Sequence, residues 1–248
     1  MIYYMEKVLY VELTPEEFEQ RLFKAPIGYL PLGTLEWHGR HMPLGADGLI
    51  SSGFFVELAK KVGGIVLPML FLGTDSSKTI DENHYYGMDI NSFPSNDPQQ
   101  LTGSAYWIHN RTFKELLHAI LVQLKRAGFK IIVAHGHSPS TVQFYKYSKK
   151  WRKELGLDLL TCWRDSETDG MGIQTDHAAA NETSLMMALR TDLVKIDNLP
   201  KDKNKHPLGL MGDDPREFAS VEQGRKIIDL NLARMEQLLM QKLAKIGK

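Results

Sequence analysis

The chain has 248 residues, of which 43% are hydrophobic, and it carries 30 basic and 30 acidic side chains. A chain of this size buries a full core, so we expect a single domain spanning residues 1–248. Its net charge of zero gives no electrostatic reason to expect nucleic acid or a membrane surface as a partner. The only cysteine is Cys162, which excludes an intramolecular disulfide. Since neither a signal-peptide pattern nor an apolar run of membrane-spanning length is visible, a cytoplasmic protein is the simplest expectation.

Helix and strand signals alternate along the chain. Thr14-Pro15-Glu16-Glu17 predicts a helix start, because Thr is a favoured N-cap and Pro a favoured first helical residue. Short apolar segments predict strands at 27–32, 64–72, 129–134 and 157–161. Amphipathic patterns predict helices at 47–61, 105–126, 141–155, 181–191 and within 215–246. This alternation predicts an α/β fold with a largely parallel sheet covered by helices on both faces, a three-layer αβα arrangement.

One connection is unusually long. The polar stretch from Gly73 to Gly103 exceeds what a compact domain normally needs, and connections of this length are usually functional or mobile. Aromatic side chains are interleaved with its polar ones as far as Trp107, a mixture that suits a small polyhydroxylated or heterocyclic ligand. Such stretches are also ordinary solvated surface, so both interpretations stay open.

Three separated segments carry the side chains that divalent metals prefer. Carboxylates and imidazoles are the ligands of hard and borderline divalent ions. Each candidate also has a structural interpretation when taken alone, for example Asp47 as a helix cap or Glu182 as a solvated helical acid. Their order and spacing favour a metal site. The candidates are Glu36, His38 and Asp47 in the first segment, His135 and His137 in the second, and Asp176, His177 and Glu182 in the third.

These segments resemble the creatininase family, the creatinine amidohydrolases and their relatives. The family pattern is approximately E-x-H-G-x-H-x-P-x-x-x-D, and residues 36–47 match it at every fixed position. Two later motifs, N-G-H after a strand and D-x-H-A-G-x-x-E-T-S or a close variant of it, correspond to 135–137 and to 176–184, where Asp176 directly precedes His177. The likeness covers about residues 26–190. The chain departs from the family at His135, Ser138, Pro139 and Ala179, and at Trp37, where Gln is usual. The departures fall on substrate-facing positions, so creatinine itself does not follow as the substrate.

The resemblance implies a creatininase-like fold with two divalent ions, zinc first, with manganese or iron possible at one site. By motif position, Glu36, Asp47 and His137 would hold one ion, while His38, Asp47 and Glu182 would hold the other, with Asp47 bridging. In creatininase a Glu two residues after the second-segment His is a ligand; here that position is Pro139, and Glu182 is the nearest replacement. The resemblance also implies a homo-oligomer, a hexamer built from dimers or trimers.

Roles for the remaining site candidates follow from the same motifs. We expect His177 to act as the general acid or base, since an imidazole titrates near neutral pH. Asp176 either orients His177 or caps the following helix, and His41 and His135 are expected to fix ligand carboxylates. Arg40 either meets an anionic substrate group or is an exposed loop residue.

Three functions are compatible with this sequence. The leading one is a metal-dependent amidohydrolase in which a metal-bridging hydroxide opens a cyclic amide, or cleaves a related C–N bond, in a small polar substrate. The second keeps the ions but hydrolyses a C–C bond in a diketo-cyclitol such as 3-dehydro-scyllo-inosose, as some relatives do. The third is a non-catalytic metal-binding protein that retains the fold.

Overall fold

The structure is a computed structural model, and it describes residues 7–95, 97–163 and 170–246. The strands in these ranges are β1 (Ile27–Leu32), β2 (Ile65–Val66), β3 (Ser77–Ile80), β4 (Asn83–Tyr86), β5 (Ile131–Gly136) and β6 (Asp158–Leu160). The α-helices are α1 (Pro15–Lys24), α2 (Ala46–Val62), α3 (Asn110–Arg126), α4 (Ser138–Leu155), α5 (Ala180–Arg190), α6 (Pro215–Phe218) and α7 (Val221–Ile246). None of these helices combines the length and the apolar character needed to cross a membrane.

The main sheet has the strand order β2-β1-β5-β6, and each neighbouring pair is parallel. The chain passes from β1 outward to β2, and from β5 outward to β6 on the opposite side. The direction therefore reverses between β1 and β5, the two central strands. In open α/β sheets, the crevice beyond the carboxyl ends of the strands at such a reversal is the usual ligand site.

Two apolar cores cover the two faces of the sheet. Alternate strand residues, among them Tyr29 and Val133, pack with α2, α5 and α7 on one face. The residues between them, among them Leu30 and Ile132, pack with α3 and α4 on the other. Side chains alternate between the faces of a strand, and both faces here are buried, which explains the continuous apolar runs in the sequence. The predicted α/β fold with a largely parallel sheet in three layers is confirmed.

The first helix begins as predicted. Thr14 is the N-cap of α1, its hydroxyl accepts a hydrogen bond from the Glu17 amide, and the Glu17 carboxylate accepts one from the Thr14 amide. This reciprocal capping box satisfies two amides that the helix itself leaves without partners. Pro15 occupies the first helical position, where its missing amide proton costs nothing.

Two predicted elements were wrong in extent. The strand predicted at 64–72 ends at Val66, because its register with β1 shifts by one residue beyond that point. Tyr29 pairs with Val66, whereas Leu32 pairs with Leu70. The helix predicted from residue 105 begins only at Asn110, because the Ala105 amide donates to the Leu35 carbonyl and Tyr106 has a φ of +70°, outside the helical region. The long connection after Gly73 also contains structure that the sequence did not predict, the antiparallel hairpin of β3 and β4.

Candidate metal centre

The central strands place the first two ligand segments side by side. Leu32, the last residue of β1, pairs with Gly136, the last residue of β5. A Cβ atom at Gly136 would overlap the Leu32 carbonyl oxygen, so only glycine allows the strand ends to approach this closely. His137 follows immediately and begins the turn into α4. The segment after β1 forms a loop, which is closed by a hydrogen bond from the Glu36 amide to the Leu44 carbonyl.

A first ligand group forms around the ring of His137. Its Nδ1 lies 3.0 Å from Asp47 Oδ2 and 3.4 Å from Glu36 Oε2. Two atoms bound to one ion at about 2.1 Å, with tetrahedral or octahedral angles, lie about 3.0–3.4 Å apart. The three side chains are buried, and their spacing fits one divalent ion.

A second group forms around His38 and shares Asp47 with the first. His38 Nε2 lies 3.6 Å from Asp47 Oδ1 and 3.6 Å from Glu182 Oε2. Asp47 therefore turns Oδ2 towards the His137 group and Oδ1 towards the His38 group. Asp47 lies in the first turn of α2 and Glu182 in the first turn of α5, so the two acids come from different helices. The arrangement is that of a carboxylate between two adjacent cation positions.

The tautomer of His38 tests whether a cation fits here. His38 Nδ1 lies 3.1 Å from the Glu36 carbonyl oxygen, which can only accept, so Nδ1 carries the proton when the ring is neutral. The lone pair of Nε2 then faces two carboxylates, and Nε2 is buried without a hydrogen bond among the described residues. A hydrogen bond from one ring nitrogen that leaves the other free is the usual arrangement of a metal-binding histidine. The residues present fit a divalent ion.

The pKa shifts in the cluster also indicate that its buried carboxylates need a neighbouring positive charge. Burial raises the pKa of Glu36 to about 7 and raises the pKa of Glu182 as well. Burial alone would lower the pKa of His38, but Asp47 and Glu182 outweigh it and raise that pKa to about 10. The protein without metal thus balances its buried carboxylates with protons. A bound cation would supply that charge and leave the carboxylates ionised.

His177 lies beside both groups. Its Nε2 donates to the Trp37 carbonyl oxygen at 2.8 Å, so the lone pair of the neutral ring is on Nδ1, 4.0 Å from Glu36 Oε2. Its ring centroid is 4.4 Å from that of His38. Burial lowers the pKa of His177 to about 3, with His38 as a further cause, so this ring is neutral near pH 7 without metal. The spacing also makes Glu36, His38 and His177 a third possible ligand group.

Of the other predicted site residues, two match an alternative left open for them and two differ from the expectation. The Asp176 carboxylate accepts hydrogen bonds from the Asn181 and Glu182 amides, which favours the helix-capping alternative. His41 is hydrogen-bonded to the Thr183 hydroxyl, and His135 donates to the Ile173 carbonyl oxygen. In the described ranges neither ring hydrogen-bonds to a ligand carboxylate, contrary to the expectation. Arg40 is exposed, with its guanidinium 5.8 Å from the centre of the Trp37 ring.

Two residues at the centre were missed by the sequence analysis. Asp75 places Oδ2 3.4 Å from His137 Nε2, and it belongs to the long polar connection whose length was the only available signal. Gln174 donates from Nε2 to Asp47 Oδ1 at 3.0 Å, while its Oε1 accepts from the Ser51 hydroxyl. No sequence signal identifies Gln174, since its role arises from a fold contact across 127 positions.

A cavity of about 280 Å³ opens onto both ligand groups. Its size suits a small molecule. Among the described lining residues none is lysine or arginine, so an anionic substrate group would find no cationic side chain there. Besides the ligand groups and Asp176, the lining side chains are Asp75, Met88, Asn91, Ser138, Pro139, Gln174, His177 and Met211.

Gly87 is expected to be essential for this geometry. A Cβ atom there would lie 2.5 Å from Glu36 Oε1 and 2.9 Å from Asp75 Oδ2, and its φ of +52° already disfavours other residues. Gly87→Ala should displace Glu36 and lower the content of the ion in the His137 group. Elemental analysis after dialysis checks this, with Gly170→Ala as the control, because that glycine also has a positive φ but nothing within 4 Å of its Cβ position. Full metal content in Gly87→Ala would show that Glu36 does not need this space.

Comparisons with known proteins agree with the fold and the motifs. A creatinine amidohydrolase from Pseudomonas putida is 28% identical over 217 residues, covering 79% of this chain and 77% of the relative. A crystal structure of creatinine amidohydrolase (creatininase) has a TM-score of 0.73 at 22% identity, covering 95% of this chain and 97% of its own. Three further creatininase structures, a Mn form, a Zn–Zn mutant and a mutant complexed with creatine, have TM-scores of 0.71 at 22–23% identity, covering 95% of this chain and 98% of theirs.

The match to a family profile shows which family the chain belongs to. The solved structures, all below 25% identity, establish the shared fold. The profile named Creatininase, described as creatinine amidohydrolase, matches residues 11–239, which is most of the sequence. The chain therefore belongs to the creatininase family of hydrolases.

Proposed function

We propose that this hydrolase is dinuclear and opens a cyclic amide, or cleaves a related C–N bond, in a small polar substrate. The observation that carries the proposal is the position of Asp47 between two buried histidines, each 3.0–3.6 Å from one of its oxygens. Glu36 completes the first group and Glu182 the second. Two such ions would lower the pKa of water and polarise a substrate carbonyl.

The protein's own side chains would then bind, orient and move protons. Gln174 holds Asp47 through Oδ1, which fixes the orientation of the bridging carboxylate. The Met88 amide donates to Glu36 Oε1, which leaves Oε2 for the His137 group. Both contacts come from backbone or side chains held by the fold, so the ligand positions are set before an ion binds.

We propose that His177 takes up at Nδ1 the proton that the attacking water releases and then passes it to the leaving nitrogen. Its Nδ1 is the nitrogen not engaged by the Trp37 carbonyl, and it points towards Glu36 and the cavity. The Trp37 contact fixes both the tautomer and the ring orientation. A ring held in this way exchanges a proton at Nδ1 only, which gives a defined direction to acid–base catalysis.

The relatives support zinc or manganese as the ions. Solved creatininases include a Mn form and a Zn–Zn form, and one mutant is complexed with creatine. The donor set here is nitrogen and oxygen, with Cys162 buried away from both groups, and such a set suits either metal. We propose zinc at one group and zinc, manganese or iron at the other.

C–C bond hydrolysis of a diketo-cyclitol is the second candidate. The observation favouring it is the cavity lining, where Asn91 offers an amide group and Ser138 a hydroxyl. Such groups suit a polyhydroxylated ring as well as a heterocycle. A non-catalytic role is the third candidate, and the retention of both ligand groups beside His177 argues against it.

Product analysis separates these candidates. Protein loaded with two equivalents of Zn²⁺ or Mn²⁺ is incubated with creatinine, with other cyclic amides and with 3-dehydro-scyllo-inosose, using Asp47→Asn as the inactive control. Ring-opened amide products that are absent from the control support the proposal. Cleavage of the cyclitol alone would replace it with the C–C reaction. Two bound ions with no turnover of any compound would favour the non-catalytic role.

We also propose a homo-oligomer, a hexamer, on the family resemblance. Half-exposed apolar side chains on α7, Leu230 and Met240, are available for subunit packing on that helix. Light scattering at micromolar protein concentration should give about six times the mass of 28.2 kDa. A monomeric mass would contradict the proposal.

A further inference from the structure

The His137 ring meets acidic side chains at both of its nitrogens. Nδ1 faces Asp47 Oδ2 and Glu36 Oε2, the other members of the first ligand group. Nε2 lies 3.4 Å from Asp75 Oδ2 and makes no hydrogen bond to any other described residue. The separation is slightly longer than an ordinary N–H···O bond.

The fold holds Asp75 at this position. The preceding residue, Thr74, donates through its hydroxyl to Asn110 Oδ1 at 2.8 Å, and its amide donates to the Ser140 hydroxyl of α4. One oxygen of Asp75 accepts from the Ser76 amide, which leaves Oδ2 for the ring. The side chain of Asp75 is only 13% exposed, so the carboxylate has lost most of its solvent.

Asp47 and Glu36 lie on the Nδ1 side of the ring, and Asp75 is the acidic side chain that the structure places at Nε2. Trp107 contacts the ring, with centroids 5.7 Å apart and an angle of 52° between the planes. An aromatic contact restricts tilting but does not choose which nitrogen carries the proton. Nε2 is buried, so water does not make that choice either.

We propose that Asp75 is a positioning residue for His137, accepting the Nε2 proton and thereby presenting the Nδ1 lone pair to the ion of the first group. This inference rests on the proposed metal centre. A carboxylate behind a metal-binding histidine fixes its tautomer and makes the ligating nitrogen more basic. Asp75 thus acts through the ring, since the ion at Nδ1 and the carboxylate at Nε2 lie on different edges of it.

Metal affinity measured for each ion separately tests the proposal. Loss of a carboxylate hydrogen-bonded to a metal-binding histidine typically lowers the metal affinity 10–100-fold. Asp75→Ala should weaken one Zn²⁺ or Mn²⁺ by about that factor in competition with a chelator, while the other ion keeps its affinity. Asp75→Asn should fall in between, because its amide oxygen still accepts from Nε2. Both variants should reach two ions at saturating metal, with the melting temperature of the metal-free protein unchanged.

The control is Asp81→Asn, which removes an exposed carboxylate from the turn between β3 and β4 and should leave both affinities as they are. Equal metal affinities in Asp75→Ala and the wild-type protein would overturn the inference. So would a first site that no metal concentration refills, because Asp75 would then be a ligand itself. If the wild-type protein binds fewer than two ions, the proposed dinuclear centre is wrong, and this is known before any variant is made.

Discussion

Replacing Asp47 by alanine should remove both metal ions together with all measurable turnover. Each ligand group would lose the carboxylate that the two share, and His38 and His137 would each be left with a single acidic partner in its group. Elemental analysis should give close to two divalent ions per chain for the unchanged protein and none for Asp47→Ala after dialysis. Circular dichroism should show that the variant is folded.

The control for Asp47→Ala is a variant that replaces another acid on the same helix, α2. Glu57 lies further along α2 and pairs with Arg225 rather than with the site. Glu57→Gln should keep both ions, which would show that the loss in Asp47→Ala is specific. Retention of one full equivalent by Asp47→Ala would contradict the bridging role and assign Asp47 to a single group.

Replacing His177 by alanine should leave both ions bound but slow turnover by about 10²–10⁴-fold, the range typical of general acid–base catalysis. The reason is that Nδ1 is the free nitrogen beside the cavity, while Glu182 already completes the second group. Metal stoichiometry, melting temperature and turnover measured on the same sample separate three roles for this side chain.

His177→Gln is the informative companion. Its amide can still donate to the Trp37 carbonyl but cannot exchange a proton near neutral pH. A catalytic role predicts that both variants are equally slow. A structural role predicts that glutamine restores the rate and the melting temperature, and a ligand role predicts that metal content falls. Normal metal content with an unchanged rate would reject the catalytic assignment.

The sequence predicted the sheet and the ligand segments because both depend on local pattern. Apolar runs such as 27–32 are long enough to identify a central strand, and the spacing of residues 36–47 is specific to the family. The boundaries that failed depend on partners elsewhere in the chain. Residues 105–108 have a helical pattern, yet the Ala105 amide bonds to the Leu35 carbonyl and Tyr106 has a φ of +70°, which excludes a helix there.

The missed residues have the same explanation. Asp75 approaches His137 because Thr74, the residue before it, is hydrogen-bonded to Asn110 and Ser140. Gln174 reaches Asp47 from a backbone with φ of +57°, which no propensity predicts for glutamine. The alternative roles of Asp176 could be distinguished only by its hydrogen bonds to the amides at the start of α5. Long-range contacts of this kind require the folded chain.

Anomalous X-ray scattering from crystals of the metal-loaded protein tests the central claim most directly. The ligand geometry predicts two peaks about 3.5–4 Å apart, the separation usual for dinuclear hydrolytic sites. One peak should lie between Glu36, Asp47 and His137 and the other between His38, Asp47 and Glu182, with an oxygen of Asp47 facing each. A single peak, or a pair of peaks that does not flank Asp47, would contradict the dinuclear centre.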